Sequence, residues 1–149
     1  MTKITGYLRQ VRGLSMAGRT TSNHWVMIDG PEEFYGSNAA IRPKELLLLS
    51  LAGCTGSDVV AILQKKRAKV DAFEMNIVAD QADEHPKVYK RIDLEFVVYG
   101  RNIKEKDVAR AIELSETKYC AVTAMLKDSV EINSTYRIVD TSEEGLNNN

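Results

Sequence analysis

The fold is decided by residues 43–54, which read Pro43-Lys-Glu-Leu-Leu-Leu-Leu-Ser-Leu-Ala-Gly-Cys54. Proline suits the first turn of a helix, where its missing N–H is no loss, so we expect a helix to begin at Pro43. The pattern continues to Lys65-Lys66-Arg67, three cations suited to a helix C-terminus. Apolar residues fall on every side between Leu46 and Leu63, and such a helix is buried on every side. A chain with two long helices has little with which to surround it, which predicts a partner subunit in a homodimer.

Short strands precede this helix, and hairpin-like strands follow it. Turn signals separate the strands, and alternating apolar residues define each strand. The predicted strands span 4–11, 14–21, 24–28, 73–79, 92–98 and 130–138, and a second helix spans 104–127. The Asp29-Gly30-Pro31 tripeptide is interpreted as a turn and nothing more. The order β-β-β-α-β-β-α-β predicts an α+β fold with antiparallel sheets around two long central helices.

Length and composition indicate one ordinary globular domain. The chain has 149 residues, 44% of them hydrophobic, which supports one core, and we expect a single domain over 1–141 with a disordered tail over 142–149. The net charge of −1 argues against nucleic acid or a membrane surface as a partner. The longest near-apolar run, 46–54, falls short of the about 20 residues that a membrane span needs. No secretory signal precedes the strands, which predicts a cytoplasmic protein.

The two cysteines, Cys54 and Cys120, are too few for a disulfide-built scaffold. Cys54 lies in the first helix between Gly53 and Gly56, and it is interpreted either as a small buried hydrophobic residue or as a reactive thiol. Glycine inside a helix costs about 1 kcal/mol relative to alanine. The two glycines therefore predict that a packed helix or a substrate approaches closely at this point.

Cys120 lies in the second predicted helix. On an ideal helix it falls about 120° from Val108, outside an apolar arc of roughly 220° to 40° and beside Glu113 and Glu116. This predicts that Cys120 faces a second surface, with the two glutamates favouring its protonated thiol. Two cysteines on two packed helices can meet, since a disulfide needs Cα atoms within about 7 Å.

Metal and cofactor chemistry are not indicated by local spacing. The only histidines, His24 and His85, lie at predicted turns or strand ends, and with two distant cysteines they lack zinc-ligand spacing. The cysteines are not a C-x-x-C motif, and no glycine-rich phosphate loop precedes a helix. We therefore expect no metal and no bound cofactor.

Residues 7–139 resemble the superfamily of osmotically inducible protein C and the organic hydroperoxide resistance proteins (OsmC/Ohr). The resemblance rests on residues 43–54 with Asp58-Val-Val-Ala-Ile-Leu63 behind them, and on Leu114-Ser-Glu-Thr-Lys-Tyr-Cys120-Ala-Val122. It implies an intertwined dimer with the two long helices at its centre. Asp58 and the Leu-Ser-x-x-Lys-Tyr-Cys run are similar to a less characterised branch rather than to the established peroxidases.

By this resemblance, Cys54 matches the peroxidatic cysteine and Cys120 the resolving one. The family activates its thiolate with an arginine from the N-terminal strands, for which Arg12 and Arg19 are both candidates; either is otherwise a surface charge. A glutamate orients that arginine and directly follows the helix-starting proline, where this chain has Lys44. Glu45 stands one position later and would contribute only across an interface.

Two functions follow from the resemblance and from the presence of Lys44 where the family's peroxidases have glutamate. The first is a thiol-dependent peroxidase that reduces organic hydroperoxides in oxidative stress defence, with an external dithiol as reductant. The alternative is a non-catalytic dimer that binds a small hydrophobic ligand in its interface cleft.

Overall fold

A computed structural model of the chain describes residues 1–142. The predicted disordered tail, 142–149, lies outside these residues except for Ser142. The chain forms two compact units, the first spanning Met1–Leu49 and the second beginning at Ser50. The single domain expected over 1–141 stays a prediction.

The first unit contains a three-stranded antiparallel sheet in the order β1-β2-β3. Its strands are β1 (Gly6–Arg12), β2 (Ser15–Thr20) and β3 (Trp25–Ile28), and a 3₁₀ turn follows at Glu32–Phe34. All three predicted strands are confirmed, with bounds that differ from the predicted ones by at most two residues. Every residue of β1 is exposed to solvent in the single chain.

Asp29 organises the segment that follows β3. Its carboxylate is buried and accepts hydrogen bonds from the Ser15 hydroxyl at 2.8 Å and from the backbone N–H groups of Gly30 at 2.7 Å and Ala39 at 3.1 Å. Burial by itself raises the pKa of Asp29, but these hydrogen bonds outweigh it and lower the pKa to about 2. The interpretation of Asp29-Gly30-Pro31 as a turn and nothing more is therefore wrong.

The second unit contains a sheet in the order β4-β5-β6, formed by β4 (Lys69–Gln81), β5 (Tyr89–Arg101) and β6 (Glu131–Asp140). Strands β4 and β5 form the predicted antiparallel hairpin. Strands β5 and β6 run parallel, which corrects the expectation of wholly antiparallel sheets. The reason is the long helical connection between them, which returns the chain to the end of the sheet at which β5 begins, so that β6 runs in the same direction.

The core of the second unit lies along β5. The inward side chains Ile92, Leu94, Phe96 and Val98 are all at most 1% exposed. The alternation predicted for this strand is confirmed, and the α+β fold class with it. Val108 and Ala111 from the helical connection are also fully buried.

The first helix, α1 (Pro43–Lys65), begins at the predicted proline. It ends at Lys65, because Arg67 turns the chain with a φ of 55°. In the single chain only part of its surface is covered: Leu51, Val59 and Leu63 are buried, whereas Leu47, Leu49 and Val60 are exposed. Burial on every side, which the sequence predicts, would need a partner subunit.

Helix α1 also meets the length and hydropathy criteria for a membrane-crossing helix. Its mean hydropathy reaches 2.0 over 18 residues, and a third of that window is buried within the chain. Single polar residues interrupt the apolar sequence of α1, so the longest near-apolar run, 46–54, is much shorter than the helix. The core helix of a soluble protein meets the same criteria, so this is weak evidence for a membrane span.

The second predicted helix, 104–127, is not continuous. It consists of α2 (Glu105–Leu114), a π-helical segment (Ser115–Tyr119) and a short helix, α3 (Ala121–Leu126). Cys120 stands between the last two with extended backbone angles (φ −72°, ψ 106°). The direction in which Cys120 faces therefore depends on this break and does not follow from ideal helix geometry.

Candidate active site

Helix α1 places Cys54 and Asp58 on one face, because residues four apart in a helix lie one turn above the other. Both side chains are partly exposed. Between them, Gly56 allows the sheet to approach: a Cβ at this position would lie 2.8 Å from Met75 Sδ and 3.1 Å from the Phe73 ring. The close approach that the glycines predict is confirmed here, but the neighbour is strand β4 and not the packed helix or substrate that was expected.

Gly53, on the other side of Cys54, behaves differently. A Cβ built at Gly53 would have no atom within 4 Å among the residues that the structure describes. The close approach predicted at this glycine is absent within residues 1–142 of the single chain.

The π-helical segment turns Cys120 inward. The Cys120 N–H donates to the Ser115 carbonyl at 2.8 Å, an i to i+5 hydrogen bond that accommodates one residue more than an α-turn. Because the π turn holds one extra residue, each later residue lies about 100° less far around the helix axis from Val108 than in an ideal helix. This moves Cys120 from about 120° to about 20°, inside the apolar arc. Cys120 is accordingly 3% exposed. The prediction that it faces a second surface is wrong.

Cys54, Asp58 and Cys120 form one cluster. The two sulfur atoms and a carboxylate oxygen of Asp58 all lie within 4.8 Å of one another. Both cysteines are free thiols. Cys54 is partly exposed and Cys120 is buried, so solvent and small molecules reach the pair from the Cys54 side.

Ser115 fixes the carboxylate of this cluster. Its buried hydroxyl donates to Asp58 Oδ2 at 2.9 Å, which joins the π-helical segment to α1. Sequence reasoning assigned no role to either residue. The four-residue spacing from Cys54 to Asp58 was the available signal, whereas the partnership with Ser115 spans 57 positions and leaves no local pattern.

The thiol of Cys120 is held in its neutral form. The largest effect is burial, which raises the pKa of Cys120. Hydrogen bonding from Thr123, whose backbone nitrogen lies 3.3 Å from the sulfur, lowers this pKa. The neighbouring Cys54 thiol raises it further. The two glutamates that were expected to keep the Cys120 thiol protonated have other partners. Glu113 pairs with Arg110 at 2.8 Å, and Glu116 accepts a hydrogen bond from Ser134.

The remaining predicted site residues, Glu45, Arg12 and Arg19, lie in the first unit. Glu45 accepts a hydrogen bond from the Arg42 N–H at 3.3 Å, as a carboxylate in the first turn of a helix does. Arg19 is exposed, donates to Asn23 at 2.7 Å and lies 5.0 Å from the centre of the Trp25 ring. Arg12 is exposed at the end of β1, next to the irregular pairing opposite Ser15. Their assignment to the site stays a prediction.

Comparison with known proteins identifies the family. Residues 36–135 match the family described as OsmC-like protein. Protein YhfA of Escherichia coli K12 is 37% identical over 132 residues, which cover 89% of this chain and 96% of YhfA. The chain therefore belongs to the OsmC-like protein family, within the OsmC/Ohr superfamily.

Solved structures agree with this fold. A hypothetical protein from Aquifex aeolicus has a TM-score of 0.83 at 27% identity, covering 95% of this chain and all of its own. An organic hydroperoxide resistance protein OsmC from Legionella pneumophila has a TM-score of 0.64 at 12% identity, over 91% of this chain and 97% of its own. At that identity the second likeness concerns the fold alone.

Proposed function

We propose that this protein is a thiol-dependent peroxidase that reduces organic hydroperoxides, with Cys54 as the attacking thiol and Cys120 as the resolving thiol. The observation that carries the proposal is the approach of the two sulfur atoms to within 4.8 Å, from residues 66 positions apart in the sequence. Membership of a superfamily that contains organic hydroperoxide resistance proteins supports it.

The chemistry balances with these two thiols and one external reductant. The Cys54 thiolate attacks the distal peroxide oxygen, the O–O bond breaks, and the alkoxide takes up a proton and leaves as an alcohol. Cys54 is then a sulfenic acid. The Cys120 sulfur attacks it, water leaves, and a Cys54–Cys120 disulfide forms. A dithiol from the cytoplasm reduces this disulfide and returns both thiols.

Exposure and charge state support this assignment of roles. Cys54 is the more accessible thiol, whereas Cys120 is buried and its pKa is raised mainly by that burial. A neutral, buried thiol is a poor first nucleophile, since the thiolate is the reactive form. After Cys54 is oxidised, Cys120 is already placed next to the sulfenic acid and needs little rearrangement to reach it.

A cleft beside Asp58 suits the organic part of the substrate. Its volume is about 380 Å³. Ala61, Ile62, Leu114 and Tyr119 supply apolar surface, and Lys65 and Lys66 also line the cleft. Because apolar surface favours an apolar guest, we expect hydroperoxides with hydrocarbon groups to react faster than hydrogen peroxide.

The proposal includes an activating cation and a partner subunit. Arg12 and Arg19 are the candidates for the cation, with Glu45 as its orienting carboxylate contributed across a homodimer interface. The exposed Leu47, Leu49 and Val60 of α1 support such an interface, because an apolar helix surface is covered in an assembled protein.

The test is a single-turnover reaction of the reduced protein with one equivalent of cumene hydroperoxide. We expect the intact mass to fall by two hydrogens as the disulfide forms. Cys120→Ser should stop at a Cys54 sulfenic acid that dimedone traps, and Cys54→Ser should remain largely unoxidised. Peroxide loss no faster in the wild type than in Cys54→Ser would contradict the enzyme proposal.

A second candidate function is non-catalytic binding of a small hydrophobic ligand. The apolar surface of the cleft beside Asp58 favours it, as does Lys44 at the position where the peroxidases have glutamate. Saturable binding of a hydrophobic fluorescent probe, unchanged in Cys54→Ser and accompanied by no peroxide turnover, would favour this function over the peroxidase.

A further inference from the structure

The geometry points to a second use of the Cys54–Asp58–Cys120 cluster: in the reduced protein it binds a thiophilic divalent cation of the zinc class through two thiolates and one carboxylate. This inference goes beyond the proposed peroxidase, because metal binding needs the reduced thiols and no peroxide. It also differs from the expectation of no metal, which rested on local ligand spacing.

The distances fit a small tetrahedral ion. Zinc binds cysteine sulfur at about 2.3 Å and carboxylate oxygen at about 2.0–2.2 Å, which places neighbouring ligand atoms roughly 3.5–3.8 Å apart. The three ligand atoms already lie within 4.8 Å of one another. Each therefore needs to move inward by about 1 Å or less, which small side-chain rotations provide.

The donor set selects the kind of ion. Two thiolates favour zinc and similarly soft ions over magnesium or calcium, which prefer oxygen ligands. Two thiolates and one carboxylate carry three negative charges, of which a divalent cation neutralises two. With three protein ligands and a partly exposed Cys54, the fourth position is left to water or to a small ligand from solvent.

The surroundings of the cluster support its ligands. The Ser115 hydroxyl holds Asp58 Oδ2 at 2.9 Å, as hydrogen bonds orient carboxylates at metal sites. The Thr123 N–H lies 3.3 Å from the Cys120 sulfur and stabilises negative charge there. Binding one ion deprotonates both thiols, so two protons are released and both sulfurs are shielded from oxidation. Disulfide formation removes both thiolate ligands and releases the ion.

Cobalt(II) tests the inference, because it substitutes for zinc and gives a thiolate charge-transfer absorption that zinc lacks. The reduced, metal-free, full-length protein is titrated with Co²⁺, and zinc is then added in competition. We expect one Co²⁺ per chain, release of two protons per ion and complete displacement by zinc. Diamide treatment, which forms the disulfide, should abolish the absorption.

Two amide substitutions separate this site from non-specific binding. Asp58→Asn should weaken Co²⁺ binding at least about tenfold. Glu113→Gln makes the same chemical change at an exposed position of α2, outside the cluster, and should leave binding unchanged. If Asp58→Asn fails to fold, as judged by circular dichroism, Ser115→Ala replaces it and should weaken binding several-fold while keeping the absorption.

Three results would overturn the inference. They are no thiolate–cobalt absorption in the reduced wild type, one ion shared by two chains, or an unchanged Co²⁺ affinity in Asp58→Asn (in Ser115→Ala, if Asp58→Asn does not fold). None of these depends on peroxide turnover. A protein that binds cobalt as expected but leaves cumene hydroperoxide intact would retain the metal site and lose the peroxidase proposal.

Discussion

The two glycines that flank Cys54 allow a matched comparison of helix stability. In Gly56→Ala the new Cβ would lie 2.8 Å from Met75 Sδ and 3.1 Å from the Phe73 ring, so α1 or these side chains must move. Overpacking of this kind costs about 1–3 kcal/mol. The substitution also gains about 1 kcal/mol, since alanine favours helix more than glycine does. We expect the free energy of unfolding to fall by about 0–2 kcal/mol.

Gly53→Ala is the control, because it changes the same residue type in the same helix. No atom of the described residues lies within 4 Å of its new Cβ. The helix-propensity gain is therefore unopposed, and the free energy of unfolding should rise by about 1 kcal/mol. The two variants should differ by about 1–3 kcal/mol, or several degrees in melting temperature for a chain of this length.

Urea unfolding followed by circular dichroism measures both variants. Protein concentration must be equal throughout, because association would make the midpoint depend on concentration. If Gly56→Ala is as stable as Gly53→Ala, contact with β4 does not require glycine at position 56, and the packing argument fails. If Gly53→Ala is instead destabilised, another molecule covers Gly53 in solution.

Three further predictions concern stability and assembly. The stabilisation from the Asp29 carboxylate, whose pKa is about 2 in the fold, is complete above its ordinary pKa of 3.8 and is lost as the pH falls towards 2. Asp29→Asn should therefore lower stability at pH 7 and flatten the acid limb of a stability–pH curve; a parallel downward shift at all pH values would contradict this. Phe96→Ala should cost about 3–5 kcal/mol in urea unfolding, since Phe96 is fully buried, and a loss below 1 kcal/mol would mean that the core is open there. Light scattering at micromolar concentration should give twice 16.7 kDa, and a stable monomer would exclude the proposed dimer.

Much of the fold follows from patterns that act over short distances. Pro43 marks the start of α1 because proline restricts the backbone locally. The alternating apolar residues Ile92, Leu94, Phe96 and Val98 mark β5, because their side chains lie on the face of the strand that meets the core. The parallel pairing of β5 with β6 is not local. It depends on how a 29-residue connection crosses the sheet, and the strands themselves carry no sign of it.

The sequence predicted the two cysteines of the site, and the four-residue spacing from Cys54 to Asp58 was a signal for a third residue. Ideal helix geometry misplaced Cys120, because nothing in Ser-Glu-Thr-Lys-Tyr distinguishes a π turn from an α turn. The Asp58–Ser115 hydrogen bond joins segments far apart in sequence, and so does the three-residue ligand cluster. Spacing rules for metal sites apply to short motifs and therefore miss a set assembled from α1 and from the residue that follows the π segment.

Because β5 and β6 pair in parallel, the distance between the two thiols also reports whether the chain is folded. Cys120 lies in a connection whose two ends are anchored in one sheet, so its distance from Cys54 is set by tertiary structure. A flexible chain joining positions 66 residues apart averages roughly 45 Å between its ends. A brief pulse of diamide would therefore cross-link folded molecules far faster than unfolded ones. The cross-linked fraction, counted by mass, would record how much of a sample was native at that moment without any added label.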